Sequence, residues 1–135
     1  MNIILLSGGS GKRLWPLSND VRSKQFIKLF KNKDKYESMV QRVYRQITTI
    51  DADAKITIAT SKSQASSIKN QLGEKTSICV EPCRRDTFPA IVLAVSYLHD
   101  ELGVSSNEAV VVCPVDPYVD ETYYESVEIL HKLAE

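Results

Sequence analysis

Four short apolar runs, separated by segments with helical periodicity, limit the fold of this chain more than any other feature. The runs are NIILLS at 2–7, KITIAT at 55–60, TSICV at 76–80 and EAVVVC at 108–113. Two of them lead directly into Gly8 or Pro114, and a third reaches Pro82 one residue later, which is typical of strands that end in loops. Because the runs are continuously apolar rather than alternating, they predict a parallel sheet that is covered on both faces.

The segments between the first three runs predict amphipathic helices. Residues 36–50 carry apolar side chains at i, i+3, i+4, i+7, i+8 and i+11, which is the pattern of one helix face. These side chains are Tyr36, Met39, Val40, Val43, Tyr44, Ile47 and Ile50. Ser61 and Gln64 have the spacing of a capping box, which predicts a helix from there to about Leu72.

Two more helices complete the alternation. Asp86 or Thr87 is expected to cap a helix that begins near Pro89, and this helix is apolar nearly all round, which predicts burial. The last helix is predicted at 122–134. Strands that alternate with helices indicate an α/β fold with a Rossmann-like, doubly wound, mostly parallel sheet. Ligands bind such sheets at the carboxyl ends of the strands.

The composition excludes several classes of protein. The chain has 135 residues, 43% of them hydrophobic, which is typical of a globular domain and not of a disordered one. No apolar run approaches the roughly 20 residues of a membrane span, and the start of the chain lacks the features of a signal peptide, so we expect a cytoplasmic protein without membrane contact. Cys79, Cys83 and Cys113 fit neither a disulfide framework nor a zinc site and are expected to be reduced thiols.

Charge is balanced overall but unevenly distributed. Residues 12–45 hold ten Lys/Arg against three Asp/Glu, an excess of seven positive charges. Residues 100–135 hold nine Asp/Glu against one Lys, an excess of eight negative charges. The basic region indicates either an anionic ligand or a set of solvated helix faces. A net charge of zero without interleaved basic and aromatic residues argues against nucleic acid as a partner.

A glycine-rich loop follows the first strand, with Gly8, Gly9 and Gly11 ahead of Arg13. Glycines allow successive backbone N–H groups to approach a phosphate, and arginine adds a fork of donors suited to phosphate oxygens. The loop is not a Walker A motif, because residue 6 is Leu and residue 13 is Arg, and a GxGxxG pattern fails at Leu14. A tight turn without a ligand remains the alternative.

The longer pattern GGSGKRLWPLS, followed by Ser23-Lys24-Gln25-Phe26, resembles the sugar-1-phosphate nucleotidyltransferases. Their signature is a GxRLxPL loop with a lysine in a PKQ or PKP context about ten residues later. Trp15 and Gln25 are most similar to the mannose-1-phosphate guanylyltransferases. The chain departs from that pattern at Lys12, Asn19 and Ser23.

Two further segments extend the resemblance. EPCRRDTFPAI at 81–91 is similar to a family segment beside the nucleotide, which implies nucleotide contacts by Glu81, Arg85, Asp86 and Thr87. Without the resemblance, this stretch is typical of a strand end, a turn and a helix cap. PVDP at 114–117 is similar to the family's Pro-Ser-Asp-His segment, which implies that Asp116 holds the catalytic Mg²⁺ cofactor. The departures at Phe88, Val115 and Pro117 alter the surroundings of these residues.

The resemblance implies transfer of a nucleotidyl group from GTP to mannose-1-phosphate, giving GDP-mannose and pyrophosphate. Arg13 would stabilise the leaving β,γ-phosphates and Lys24 the α-phosphate in the transition state. The nucleotide and its phosphates would be lined by Leu6, Gly8, Gly9, Ser10, Gly11 and Lys12. The alternatives are another nucleoside triphosphate or sugar-1-phosphate, or a nucleotide-binding module without catalysis.

Family catalytic domains run on beyond the last predicted helix, so residues 1–135 are expected to form the N-terminal, nucleotide-binding part of such a domain. The sugar site would then be incomplete, and nucleotide binding should survive better than turnover. A sheet that ends early would leave an exposed edge or apolar face that can drive self-association into a homo-oligomer.

Overall fold

Four parallel strands form the central sheet in a computed structural model that describes residues 1–9, 16, 18 and 23–135. The central strand β1 (Asn2–Leu6) lies between β4 (Lys55–Ser61) and β6 (Val110–Pro114), and β5 (Ser77–Glu81) lies beyond β4, giving the order β5-β4-β1-β6. All four correspond to the predicted runs, with ends within two residues. The α/β fold with a mostly parallel sheet is therefore confirmed.

Helices cover both faces of this sheet. They are α1 (Met39–Ile50), α2 (Lys62–Leu72), α3 (Thr87–Asp100) and α4 (Glu121–Ala134). Side chains of β1 alternate between the faces: Ile3 and Leu5 join the core beneath α1, α2 and α4, whereas Ile4 joins a smaller core beneath α3. Three helices therefore pack on one face and, among the described residues, α3 alone packs on the other.

A short antiparallel hairpin precedes α1, and its last two residues fall within the helix predicted at 36–50. It consists of β2 (Phe30–Asn32) and β3 (Lys35–Glu37). The prediction that Tyr36 belongs to the buried helix face is wrong, because Tyr36 lies in β3 and is exposed. Helix α1 begins later, after a complete capping box at Ser38. The Ser38 hydroxyl accepts from the backbone N–H of Gln41, and the Gln41 side chain accepts from the backbone N–H of Ser38.

An ion pair joins the hairpin to α1. The buried Glu37 carboxylate accepts from Arg45 Nη2 at 2.8 Å and from Arg45 Nε at 3.1 Å, and it also accepts from Asn32 Nδ2 at 3.2 Å. The hydrogen bond from Arg45 holds the pKa of Glu37 below its usual value. Because the folded pKa is depressed, this contribution to stability is present above the unfolded pKa and is lost as pH falls through the folded pKa.

Glu37→Gln is therefore expected to lower the free energy of unfolding at pH 7 by about 1 kcal/mol. The difference in unfolding free energy from the parent chain should narrow as pH falls through the depressed folded pKa of Glu37, because both chains then carry an uncharged side chain at this position. Urea unfolding at a series of pH values measures it. Glu125→Gln, at an exposed position of α4, is the control and should show no such convergence. A constant difference at all pH values would contradict the assignment.

The predicted capping box at Ser61 and Gln64 is wrong, although Ser61 is the N-cap residue of α2. Ser61 makes no side-chain cap hydrogen bond, and its hydroxyl lies 3.1 Å from Ser63 Oγ instead. Gln64 points into the protein and is 1% exposed. Its buried partners outcompete the helix terminus for its amide group.

Helix α3 is buried along one stripe only, so the prediction that it is buried all round is wrong. Its buried side chains are Ala90, Ala94 and Leu98. Phe88 is 76% exposed and Val92 is 47% exposed. The sheet contacts one stripe of the helix, and no other described element packs on the opposite side. The helix begins at Thr87 with Asp86 as the N-cap residue, two residues earlier than the predicted start at Pro89.

Two further observations concern cysteines and membranes. All three cysteines are free, and burial raises the pKa of the Cys79 and Cys113 thiols, as expected for inert reduced side chains. Within the described ranges, none of the helices has the length and apolarity needed to cross a membrane.

Candidate active site at the switch point of the sheet

The strand order places a crevice between the carboxyl ends of β1 and β6. From β1 the chain moves to β4 and β5 on one side and then returns to β6 on the other side. At such a reversal the loops after the two adjacent strands lie side by side, and ligands of doubly wound sheets bind there, outside the carboxyl ends of the strands. Here those loops are the glycine loop and the segment that contains Asp116.

Backbone hydrogen bonds fix the first residues of both loops. The Val115 amide donates to the Leu6 carbonyl at 3.3 Å, which continues the pairing of β6 with β1 beyond the strand end. The Ser7 amide donates to the Ala59 carbonyl at 2.8 Å, which holds the other side of the glycine loop to β4. Gly8 and Asp116 therefore extend from rigid strand ends rather than from free loops.

Helix α1 holds the far side of the loop that carries Asp116. Arg42 Nη2 donates to the Val119 carbonyl at 2.6 Å, and Gln46 Nε2 donates to the same oxygen at 3.0 Å. The Arg42 guanidinium also lies 4.6 Å from the centre of the Tyr118 ring, a cation–π distance. The loop is thus anchored at both ends, with Asp116 between the anchors.

Lys24 meets Asp116 across the crevice. A single turn of 3-10 helix, Lys24–Phe26, buries Gln25 and Phe26 and leaves Lys24 as the partly exposed member. Lys24 Nζ donates to Asp116 Oδ2 at 2.9 Å, although the two residues are 92 positions apart. Their side chains are 39% and 53% exposed, so both can be reached by a ligand from solvent.

A small cavity of about 70 Å³ lies at this pair. Its lining residues are Leu6, Ser7, Gly9, Lys24, Gln25, Val115 and Asp116. Four of them, Leu6, Gly9, Lys24 and Asp116, are predicted site residues, so the structure brings these four together. Ser7, Gln25 and Val115 were not predicted to line it. A polar Ser at a strand end and a Gln flanked by a candidate lysine are the signals that could have indicated the first two.

The predicted segment at 81–91 also lies at the carboxyl ends of the strands, but beside β5 rather than beside the cavity. A Cβ atom added to Gly8 would lie 3.1 Å from Glu81 Oε1, so the glycine loop and the end of β5 are in contact there. Arg85, Asp86 and Thr87 are exposed at the start of α3 and do not line the cavity. Asp86 has φ 66°, a left-handed conformation that is uncommon outside glycine and Asn or Asp residues.

Several predicted site residues lie outside the described part of the chain. They are Ser10, Gly11, Lys12 and Arg13. The roles predicted for them therefore stay predictions from the sequence. Of the other basic residues between 12 and 45, Arg42 and Arg45 bind the Val119 carbonyl and Glu37. Part of the positive excess in this region is therefore structural rather than directed at a ligand.

Asp116 is the residue of this cavity that could hold a metal ion. Among the described residues, no group of three or more His, Cys, Asp or Glu side chains could hold a metal ion. Asp116 nevertheless presents an exposed carboxylate in the crevice. Mg²⁺ is commonly bound by one or two carboxylates together with waters and substrate phosphates, and Asp116 fits that arrangement.

A larger surface groove, of about 320 Å³, lies at the other end of the strands, near the amino end of β6. It is formed by the end of α3 and the segment that leads into β6, with His99, Ser105 and Glu108 among its lining residues. None of the predicted site residues is part of it. Because ligands of doubly wound sheets bind at the carboxyl edge, the smaller cavity is the better candidate site.

The family model described as "Nucleotidyl transferase" matches residues 2–135, nearly the whole chain. This chain belongs to the nucleotidyl transferase family. The resemblance found in the glycine loop and in the two later segments is therefore confirmed at the level of the family. The crevice of this nucleotidyltransferase contains the matched lysine and aspartate side by side.

Two bacterial proteins of known name are similar to this nucleotidyltransferase. A "Mannose-1-phosphate guanylyltransferase" of Salmonella montevideo is 30% identical over 98% of this chain and 27% of its own length. The "Xanthan biosynthesis protein XanB" of Xanthomonas campestris pv. campestris is 42% identical over 67% of this chain and 19% of its own length. This nucleotidyltransferase chain thus spans about a quarter or less of these relatives.

A solved structure shares the fold. It is a Thermus thermophilus protein described as a "mannose-1-phosphate geranyltransferase", with a TM-score of 0.78 and 27% sequence identity. The alignment covers 99% of the nucleotidyltransferase chain and 38% of that protein. The sheet and helices described above are therefore an arrangement already known in a related enzyme.

Proposed function

We propose that this nucleotidyltransferase chain is the nucleotide-binding part of a mannose-1-phosphate guanylyltransferase. The observation that carries the proposal is the meeting of Lys24 and Asp116 at 2.9 Å beside the glycine loop. Family membership makes nucleotidyl transfer the reaction class. The names of the relatives favour GTP and mannose-1-phosphate as the substrates.

In the proposed reaction, a phosphate oxygen of mannose-1-phosphate attacks the α-phosphorus of GTP. The new oxygen–phosphorus bond forms as the bond to the β-phosphate oxygen breaks, and pyrophosphate leaves with the electron pair. No covalent enzyme intermediate is needed, so the protein contributes positioning and charge stabilisation. A Mg²⁺ ion held by Asp116 would supply positive charge that stabilises the phosphates.

Lys24 and Asp116 would exchange partners when the substrate binds. The Lys24 ammonium would move from the Asp116 carboxylate to the α-phosphate, where negative charge must be stabilised in the transition state. The Asp116 carboxylate would then be free to bind Mg²⁺. Because both side chains are partly exposed, this exchange costs little desolvation.

The other predicted residues complete the proposed nucleotide site. Backbone groups of Gly8 and Gly9 would face the phosphates or base, with Ser10 to Arg13 continuing the loop. Glu81 lies against Gly8, which supports a role for the end of β5 near the nucleoside. Arg85, Asp86 and Thr87 are exposed on the same edge and available to the ribose or base.

Calorimetric titration of the chain with GTP, ATP, UTP and CTP, each with and without Mg²⁺, tests the proposal. We expect GTP to bind with a dissociation constant between about 1 µM and 1 mM, more tightly with Mg²⁺ and more tightly than the other nucleotides. Preference for another nucleotide would keep the family reaction and replace GTP. Absence of binding by folded protein would overturn the assignment of a nucleotide site to this chain.

A further inference from the structure

The amide group of Gln64 uses all of its hydrogen-bonding capacity inside the protein. Its Nε2 atom donates to the Gly9 carbonyl at 3.1 Å and to Ser23 Oγ at 2.6 Å. Its Oε1 atom accepts from Gln25 Nε2 at 3.2 Å, and it shares the single hydrogen of the Thr60 hydroxyl, 3.1 Å away, with the Ser7 carbonyl. A glutamine amide has two donor hydrogens and two acceptor lone pairs, so this side chain has no capacity left.

The neighbours of Gln64 fix which way its amide points. The Gly9 carbonyl can only accept, so it must face the NH₂ group of Gln64. A flipped amide would place two acceptors against each other at Gly9 and two NH₂ groups against each other at Gln25. The assignment of the nitrogen and oxygen of Gln64 therefore follows from the network itself.

The partners of Gln64 belong to two segments that line the small cavity, the glycine loop and the segment that carries Lys24. Ser23 and Gln25 flank Lys24, and Gly9 lies in the glycine loop. Gln25 Nε2 and Thr60 Oγ1 both lie 3.2 Å from the Ser7 carbonyl, which ties the start of the same loop to the network. Apart from Gly9, every residue of the network is at most 2% exposed: Ser7, Ser23, Gln25, Thr60 and Gln64.

We propose that Gln64 is a positioning residue that sets the distance between the glycine loop and Lys24. The proposal rests on the proposed function, because the fixed distance keeps a site for the phosphates of the nucleotide in place before the nucleotide binds. Gln64 is not among the lining residues of the cavity, so it acts through Gly9, Ser23 and Gln25. This explains why Gln64 does not help to cap α2, although it lies in the first turn of that helix.

Burial makes this arrangement rigid. A buried polar group that loses its partner costs free energy, so Gly9, Ser23 and Gln25 are each held to the one geometry that satisfies the amide. Small errors in the placement of catalytic groups are costly, since a shift of about 1 Å can reduce a rate by about 100-fold. A single side chain that binds both the glycine loop and the residues flanking Lys24 is a direct way to prevent such a shift.

Gln64→Met tests the proposal, because methionine has a similar volume and cannot hydrogen-bond to Gly9 or Ser23. We expect the dissociation constant for Mg²⁺–GTP to rise at least about tenfold. The matched control is Asn2→Leu, which removes a buried amide at the other end of β1, where Asn2 Nδ2 donates to Glu108 Oε2. That variant should lose thermal stability while binding the nucleotide as the parent chain does.

Amide NMR spectra without nucleotide separate the proposal from the proposed function. In Gln64→Met, the resonances of Ser7 to Gly9 and of Ser23 to Gln25 should shift together, and in Asn2→Leu they should not. Unchanged resonances in one of the two segments would overturn the proposal even if GTP binds. If the parent chain binds no nucleotide, the proposed function fails and the NMR comparison still decides whether Gln64 couples the two segments.

Gln64→Glu provides a conservative variant in case Gln64→Met does not fold. The neutral carboxylic acid keeps one donor and its acceptor oxygen, whereas the carboxylate cannot donate to Gly9 or Ser23. The ratio of its GTP dissociation constant to that of the parent chain should therefore increase as pH rises through the pKa of the introduced carboxyl group. A ratio that does not change with pH would contradict a role for the donated hydrogen bonds.

Discussion

Lys24→Ala is expected to weaken the binding of Mg²⁺–GTP by about 10- to 100-fold, the value of a hydrogen bond between a charged donor and a phosphate. The chain should remain folded, because the exposed ion pair with Asp116 contributes little to stability. Removal of the ammonium group also leaves the Asp116 carboxylate facing the phosphates without a compensating charge, which adds to the loss.

Lys28→Ala is the matched control for this variant. Lys28 is exposed, carries the same charge and follows Lys24 by four residues, and it is not among the residues that line the cavity. Calorimetry of both variants at two salt concentrations separates a local contact from a general field, since general attraction is screened by salt. Equal losses in the two variants would show that Lys24 contributes only overall charge.

Asp116→Asn is expected to remove the dependence of GTP binding on Mg²⁺. With Mg²⁺ present, the variant loses a carboxylate ligand of the metal and should bind GTP more weakly than the parent chain. Without Mg²⁺, the order should reverse, because the variant has lost a negative charge beside the phosphates and Lys24 has lost its competing partner. This reversal in the order of GTP affinity between the variant and the parent chain is the most specific result that the proposed site predicts.

Asp120→Asn in the same loop is the control. Asp120 is exposed, accepts a hydrogen bond from Thr122 Oγ1 and is the N-cap residue of α4. Its replacement should leave the Mg²⁺ dependence intact. Titrations of both variants with and without Mg²⁺ provide the comparison. An Asp116→Asn variant that still binds GTP more tightly with Mg²⁺ would place the metal at other ligands.

The sequence predicted the parallel sheet because its strands are continuously apolar. Ile3, Ile4 and Leu5 are all fully buried, as two covered faces require. The meeting of Lys24 with Asp116 could be anticipated only through the family resemblance and the rule for strand ends, since 92 residues separate them. Neither the separation of Lys24 and Asp116 along the chain nor their opposite charges predicts that their side chains are in contact.

Other features could not be read from local patterns. The hairpin that contains Tyr36 has strands of three residues, too short for a period to appear. Helix α3 has the composition of a buried helix, but burial depends on which elements surround it, and its Phe88 is exposed. Gln64 fits a capping box by spacing, whereas its real partners lie on segments distant in sequence.

The central place of β1 also determines the order in which the molecule can assemble during its synthesis. β1 is made before both of its partners, which follow much later, with Asn2 beside Lys55 on one side and Val110 on the other. The hydrogen bonds from Thr60 and Gln64 to the Ser7 and Gly9 carbonyls likewise can form only after those two residues have been made. A growing chain therefore carries an apolar strand with unpaired edges while these later residues are being made, which makes β1 a natural target for chaperones.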